Sequence, residues 1–161
     1  AQKGAASIAA VMIACQDAPV DMLMFYDARV NTNMNNMFDT LTLLPKKGYY
    51  PFFAWRRLCE LGTQVQTAVA TPDIKKPQLY ACAAKGAAGR GALFLARYSD
   101  DNNIVETRRV NVALPAGVDP AQVRCHLTDA VRTYTETPLI VRADGTAALD
   151  LQPNSFALVE W

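Results

Sequence analysis

Several things are scarce in this chain of 161 residues, and each scarcity closes off a class of function. There is one histidine, His126, and the four cysteines (Cys15, Cys59, Cys82 and Cys125) are far apart with no CxxC pair. A zinc centre needs closely spaced ligands, so no metal site is expected. The bland reading of the thiols is four buried, reduced cysteines, each flanked by apolar residues. No apolar run approaches the roughly 20 residues that a membrane helix requires, so no membrane partner is expected. Charge of either sign is thin and scattered: 16 Lys and Arg stand against 15 Asp and Glu. Nucleic acid and anionic surfaces demand a concentrated basic footprint, which is missing. "KGAAGRG" is glycine-rich but precedes no helix, so it is no phosphate loop. "SDDNN" (Ser99 to Asn103) lacks the distal glutamate and the spacing of a calcium loop and reads as a turn. No cofactor is expected.

What is present divides near Gly62. Before it, helix and strand signals alternate, and after it only strand signals appear. Residues 5–16 are Ala-rich, with Ile8, Val11, Met12 and Cys15 at helical spacing, and Pro19 stops the helix. The opening "AQKGAASIAAVMIAC" lacks the leucine core of a signal peptide. Residues 20–27, "VDMLMFYD", form a near-continuous apolar run, which suits a parallel strand buried on both faces. A long asparagine-rich loop over 30–47 follows. "YYPFFAWRRLCELG" then reads as a helix, with Pro51 in its first turn and Gly62 as its cap. Its apolar face should be Phe52, Trp55, Leu58 and Cys59.

From Thr63 onward eight strand-like segments are expected: 64–70, 77–85, 91–99, 104–114, 122–129, 133–142, 146–151 and 155–161. Turn residues separate them, and "ADGT" is an Asp-Gly hairpin signal. The fold class is therefore mostly β: an antiparallel β-sandwich of about eight strands over residues 63–161, preceded by a helix-strand-helix segment over 1–62. One buried parallel strand needs parallel neighbours, and residues 1–62 supply none. The chain reads as the tail of a larger α/β protein.

The stretches "DMLMFYDAR", "MNNMFD", "LLPKKGYYPFFAWRRLCELG", "LYACAAK" and "LQPNSFALVEW", in that order, resemble the end of a glycoside hydrolase built on a (β/α)8 barrel. The likeness is to enzymes similar to glycosidase family 39, the β-xylosidase and α-L-iduronidase type, in which a β-sandwich follows the barrel. The resemblance implies that residues 1–62 are a barrel remnant comprising the seventh helix, the eighth strand and the eighth helix. It also implies that the catalytic glutamates, at the ends of strands four and seven, lie upstream of Ala1. The four glutamates present are Glu60, Glu106, Glu136 and Glu160. None is placed at a barrel mouth, so no catalytic residue is assigned and the chain alone should be inactive.

Barrel active sites sit at the C-terminal ends of the strands. Tyr26, Asp27 and Arg29 occupy that end of the implied eighth strand, and Asn35 the loop above it. An aromatic ring and planar polar groups are the types a sugar needs. These four residues are therefore the candidate substrate-binding set, and the implied partner is a carbohydrate in the intact protein. The cluster Tyr49, Tyr50, Phe52, Phe53 and Trp55 is expected at the interface between remnant and sandwich, and His126 on an exposed strand face. Two further readings stay open. The sandwich could be a carbohydrate-binding module, for which Tyr98 and Tyr134 are the best exposed aromatics. Alternatively, the chain is an assembly module that self-associates through the uncovered remnant.

Overall fold

The computed structural model describes residues 2–26, 28–30, 37–70, 78–142 and 144–161. Two α-helices, α1 (Gln2–Ala14) and α2 (Tyr50–Leu61), precede nine strands. These are β1 (Thr63–Val65), β2 (Gln78–Lys85), β3 (Gly91–Tyr98), β4 (Arg108–Ala113), β5 (Arg124–Thr128), β6 (Thr135–Glu136), β7 (Ile140–Val141), β8 (Thr146–Leu151) and β9 (Ser155–Glu160). They form a six-stranded sheet, β1-β2-β3-β9-β5-β6, and a three-stranded sheet, β4-β8-β7. Every pairing is antiparallel. The mostly β sandwich behind a helical segment is the architecture expected.

The central strands of the six-stranded sheet, β3 and β9, are buried on both faces, and period-two alternation decides which residue goes where. Along β3, Ala92, Phe94 and Ala96 face the helices, where Phe156 and Leu158 of β9 join them. Leu93 and Leu95 face the smaller sheet, together with Cys125, Leu127 and Val159, and meet Ala147, Leu149 and Leu151 of β8. The expected single strand over 133–142 is two short ones in different sheets. Thr137 still donates to Cys125 O at 2.8 Å. Pro138, with no N–H to give, follows at the crossing.

α1 buries Ala5, Ala6, Ala9 and Ala10 with Met12 and Ile13, whereas Val11 is exposed. The large residues at helical spacing suggested a different face. Small residues win because they let the helix axis approach Ala92 and Ala96 closely, and dense packing rewards that approach. α2 begins with Pro51 and ends at Gly62, whose φ of 88° is the left-handed cap. It buries Pro51, Ala54 and Leu58, with Trp55 partly covered against Phe94. Cys59, expected on the apolar face, is exposed. Of the four free thiols, Cys82 and Cys125 are buried and Cys15 is half-buried, so the expectation of four buried cysteines holds for two. Burial pushes the Cys125 thiol up to about 12.

Residues 20–26 form no strand. The apolar run has the sequence of an inner parallel strand, but a strand exists only by main-chain bonding to a neighbour. Among the described residues no strand lies beside it. Met22 and Met24 are 74% and 79% exposed as a result.

Candidate functional site

Of the four candidate sugar contacts, Tyr26 and Arg29 can be placed, while Asp27 and Asn35 lie outside the described residues. Arg29 donates from Nη2 to the Tyr26 hydroxyl at 3.4 Å, a long bond between two exposed groups. The Tyr26 ring is 79% exposed, and its neighbour Phe25 packs edge-on against Phe52 of α2 at 5.3 Å. Phe25 thus pins the segment to the helix and leaves Tyr26 presented outward.

A second exposed element stands after the asparagine-rich stretch. Asp39 accepts bonds from the Leu41 and Thr42 amides at 3.0 and 2.9 Å and from the Thr42 hydroxyl at 3.0 Å. These donors hold its carboxyl below the usual range. The turn they build raises Leu41 to 91% exposure, with Leu43 and Leu44 also exposed beside it. Residues 20–26 and this leucine turn are thus two stretches that leave large apolar side chains uncovered.

The aromatic residues form a relay from this loop into the sandwich. Phe38 lies against Tyr49, and Tyr49 against Tyr50 and Phe53. Tyr50 stacks on Tyr134 at 5.0 Å and 8°, and Tyr134 stacks on His126 at 4.6 Å and 9°. Two nearly parallel partners occupy both faces of the Tyr134 ring, while Phe53 abuts it at 81°. Tyr134, expected to offer a face to glycan, has none left. Its hydroxyl is pushed upward by burial and by nearby Glu160. Tyr98 packs against the helix-facing core, so it offers no open platform either.

His126 is half-buried rather than exposed, because Tyr134 covers its ring. Its Nδ1 is 4.0 Å from Glu160 Oε2. Glu160 in turn receives Arg57 Nε and Nη2, each at 2.9 Å to Oε1, and Arg57 also reaches Glu60 at 3.2 Å. This polar knot ties α2 to the end of β9. Sequence reading missed it because Arg57 and Glu160 are 103 positions apart. The remaining glutamates are likewise held by arginines, Glu136 by Arg124 and Glu106 by Arg108. Among the described residues no group of His, Cys, Asp and Glu is arranged to hold a metal.

No protein-family model matches the chain, and no curated protein is similar to it in sequence. Solved structures do match. The glycoside hydrolase family 30 subfamily 8 xylanase Xyn30A from Clostridium acetobutylicum is 14% identical, with a TM-score of 0.63 over 99% of this chain and 38% of its own. A family 30 endoxylanase from Clostridium papyrosolvens C71 gives 12%, 0.67, 99% and 38%. The catalytic domain of the family 30 xylanase C from Talaromyces cellulolyticus gives 15%, 0.66, 97% and 34%. This chain therefore spans under two-fifths of the chains it matches. At such identity the likeness is one of fold: the helix-and-sandwich arrangement seen here is one that these xylanases also contain.

Proposed function

We propose that this chain is part of a glycoside hydrolase, in which the sandwich is a structural appendage and residues 20–46 form one wall of the substrate cleft. The observation that carries the reading is the uncovered apolar run over 20–26, which ends in Tyr26, with Arg29 donating to its hydroxyl. A run of that kind is what an inner barrel strand leaves when its parallel neighbours belong to another part of the polypeptide. The fold shared with family 30 xylanases supports the same reading and points to xylan as the substrate class, ahead of the family 39 substrates that the sequence resembles. Tyr26, Asp27, Arg29 and Asn35 then contact sugar. Chemistry belongs to two carboxylates about 5–5.5 Å apart, one general acid/base and one nucleophile, supplied by the rest of the enzyme.

The test compares the isolated 161-residue chain with a longer polypeptide that contains it, using xylan and a nitrophenyl xyloside. The isolated chain should show no turnover. In the longer protein, Tyr26→Ala and Arg29→Ala should each raise KM and lower kcat/KM by about 10–100-fold, with the melting temperature unchanged. Variants indistinguishable from the parent on every polysaccharide would sink the assignment. In isolation the chain should self-associate through the uncovered run, and Met24→Lys should return it to a monomer in sedimentation. The alternative, a carbohydrate-binding sandwich without catalysis, loses support from the doubly covered ring of Tyr134.

A further inference from the structure

Residues 37–46 of the wall form a loop with bonds of its own. Phe38 and Pro45 make an antiparallel bridge. The Asp39 N–H donates to Leu44 O at 2.8 Å, and the Lys46 N–H to Met37 O at 2.8 Å. The Asp39 carboxylate caps the turn between them, and Leu43 sits in that turn at a φ of 59°. A loop bonded this way moves as one piece, so its direction is set by whatever holds its base.

Two attachments hold that base, and both end on one loop of the sandwich, residues 128–134 between β5 and β6. The first is made by rings: Phe38 lies 5.5 Å from Tyr49, Tyr49 lies 5.4 Å from Tyr50, and Tyr50 stacks on Tyr134 at 5.0 Å. The second is Lys47, the residue after the wall loop, whose Nζ donates to Asp129 O and, at 2.8 Å, to Ala130 O. The Asp129 carboxylate turns into its own loop and keeps those carbonyls in place. It is 1% exposed and accepts the Val131 N–H at 3.0 Å, the Arg132 N–H at 2.8 Å and Arg132 Nη1 at 3.2 Å. The Thr128 hydroxyl accepts the Tyr134 N–H at 2.9 Å, and Tyr134 is held at a φ of 47°. A bulky residue persists in that left-handed region only where its surroundings over-determine it, and such strain gathers at clamps and functional sites. One attachment would leave the wall loop free to pivot. Two attachments on one rigid socket fix its direction.

We infer that loop 128–134 is the socket that sets the angle of the substrate wall, with Lys47 and Thr128 as positioning residues. The sandwich then does more than cover a sheet: it decides how closely residues 37–46 approach the sugar chain. This rests on the reading of residues 20–46 as a cleft wall. Lys47 touches no substrate and acts through the loop that it anchors. Its ammonium is a directional tether, because the donors that meet the two carbonyls diverge at fixed angles. Displacing a binding wall by about 1 Å can cost on the order of a hundredfold, so a remote anchor can govern affinity.

The test is kinetic, in a longer polypeptide that contains this chain. Lys47→Met should raise KM for xylan about tenfold and leave kcat within about twofold. Lys47→Arg keeps donors for both carbonyls and should bring KM back to within about threefold of the parent. Thr128→Val keeps the side-chain shape but removes the acceptor of the Tyr134 N–H. It should raise KM about three- to tenfold, although it lies in the sandwich and not in the wall. Should Lys47→Met fail to fold, Thr128→Val decides by itself. An unchanged KM in these variants, where Tyr26→Ala does raise it, overturns the inference and leaves the cleft reading standing. A fall in kcat and melting temperature with KM unchanged also overturns it, since Lys47 would then be a brace for the fold alone. So does Lys47→Arg behaving like Lys47→Met. A parent inactive on every polysaccharide overturns the cleft reading and this inference together.

Discussion

The two faces of the six-stranded sheet are built from one set of strands, yet they end differently. On the helix face α1 and α2 lie over alanines, and the Phe94–Phe156 pair, 5.9 Å apart at 84°, fills the space between. On the opposite face a three-stranded sheet covers a six-stranded one, and the cover stops short at β4. The helix face is closed because its contacts are small residue to small residue, backed by aromatic volume. The sheet face stays open on one side because three strands cannot span six. Packing quality is thus a matter of what is available to lie on a surface, as much as of the surface itself.

Substitutions can break this contrast. Phe156→Ala should cost about 3–5 kcal/mol, because the closed face cannot collapse around the lost ring. At about 2–4 °C per kcal/mol for a chain of this size, the melting temperature falls by roughly 10 °C. A smaller but more discriminating effect comes from enlarging an alanine on each face. Ala9→Leu presses a helix already seated on the sheet and should cost about 1–3 kcal/mol. Ala83→Leu grows into the cavity of about 1160 Å³ that opens between β2 and β4, and should stay within about 0.5 kcal/mol of the parent. Equal losses from both in chemical denaturation would show that the two faces are packed alike.

Gly91 supplies a third test at the rim. Its N–H donates to Trp161 O at 2.9 Å, and the Trp161 N–H returns to Gly91 O at 3.0 Å. A Cβ there would stand 2.5 Å from the Trp161 ring. Gly91→Ala should therefore displace the indole, seen as a red shift in tryptophan emission, with a loss of about 1–2 kcal/mol. The smallest effect concerns the thiols. Iodoacetamide at pH 8 should label exposed Cys59 quickly and leave Cys82 and Cys125 unlabelled until the chain unfolds. The raised value of Cys125 has a sign that can be checked. Its folded form keeps the proton, so its contribution is intact below the ordinary value of 9.0 and is lost as pH rises toward about 12. A melting temperature flat from pH 7 to 9 that then declines is the expected profile, and Cys125→Ala should flatten the decline.

Much of this was legible in the chain. Pro51 and Gly62 bounded α2 because each has a backbone preference that acts locally. The turns "ADGT" and "QPNS" marked strand ends for the same reason. Gly145 adopts a φ of 79° and Asn154 one of 57°. "KGYYPF" announced a tightly packed aromatic set, though not that Tyr134 would be its centre. Arg97 left a trace that was there to read. In "GALFLARYS" it falls on the parity of Leu93 and Leu95, and a charge on an inward face needs a partner.

Local sequence determined the helices, the turns and the period of the strands, because those depend on backbone preference and spacing alone. Which strands share a sheet was decided only in three dimensions. So were the division of residues 133–142 between two sheets, the fate of the apolar run over 20–26, and the unpartnered guanidinium edge of buried Arg97. Each depends on what lies alongside, and a sequence records order along the chain but not adjacency across space.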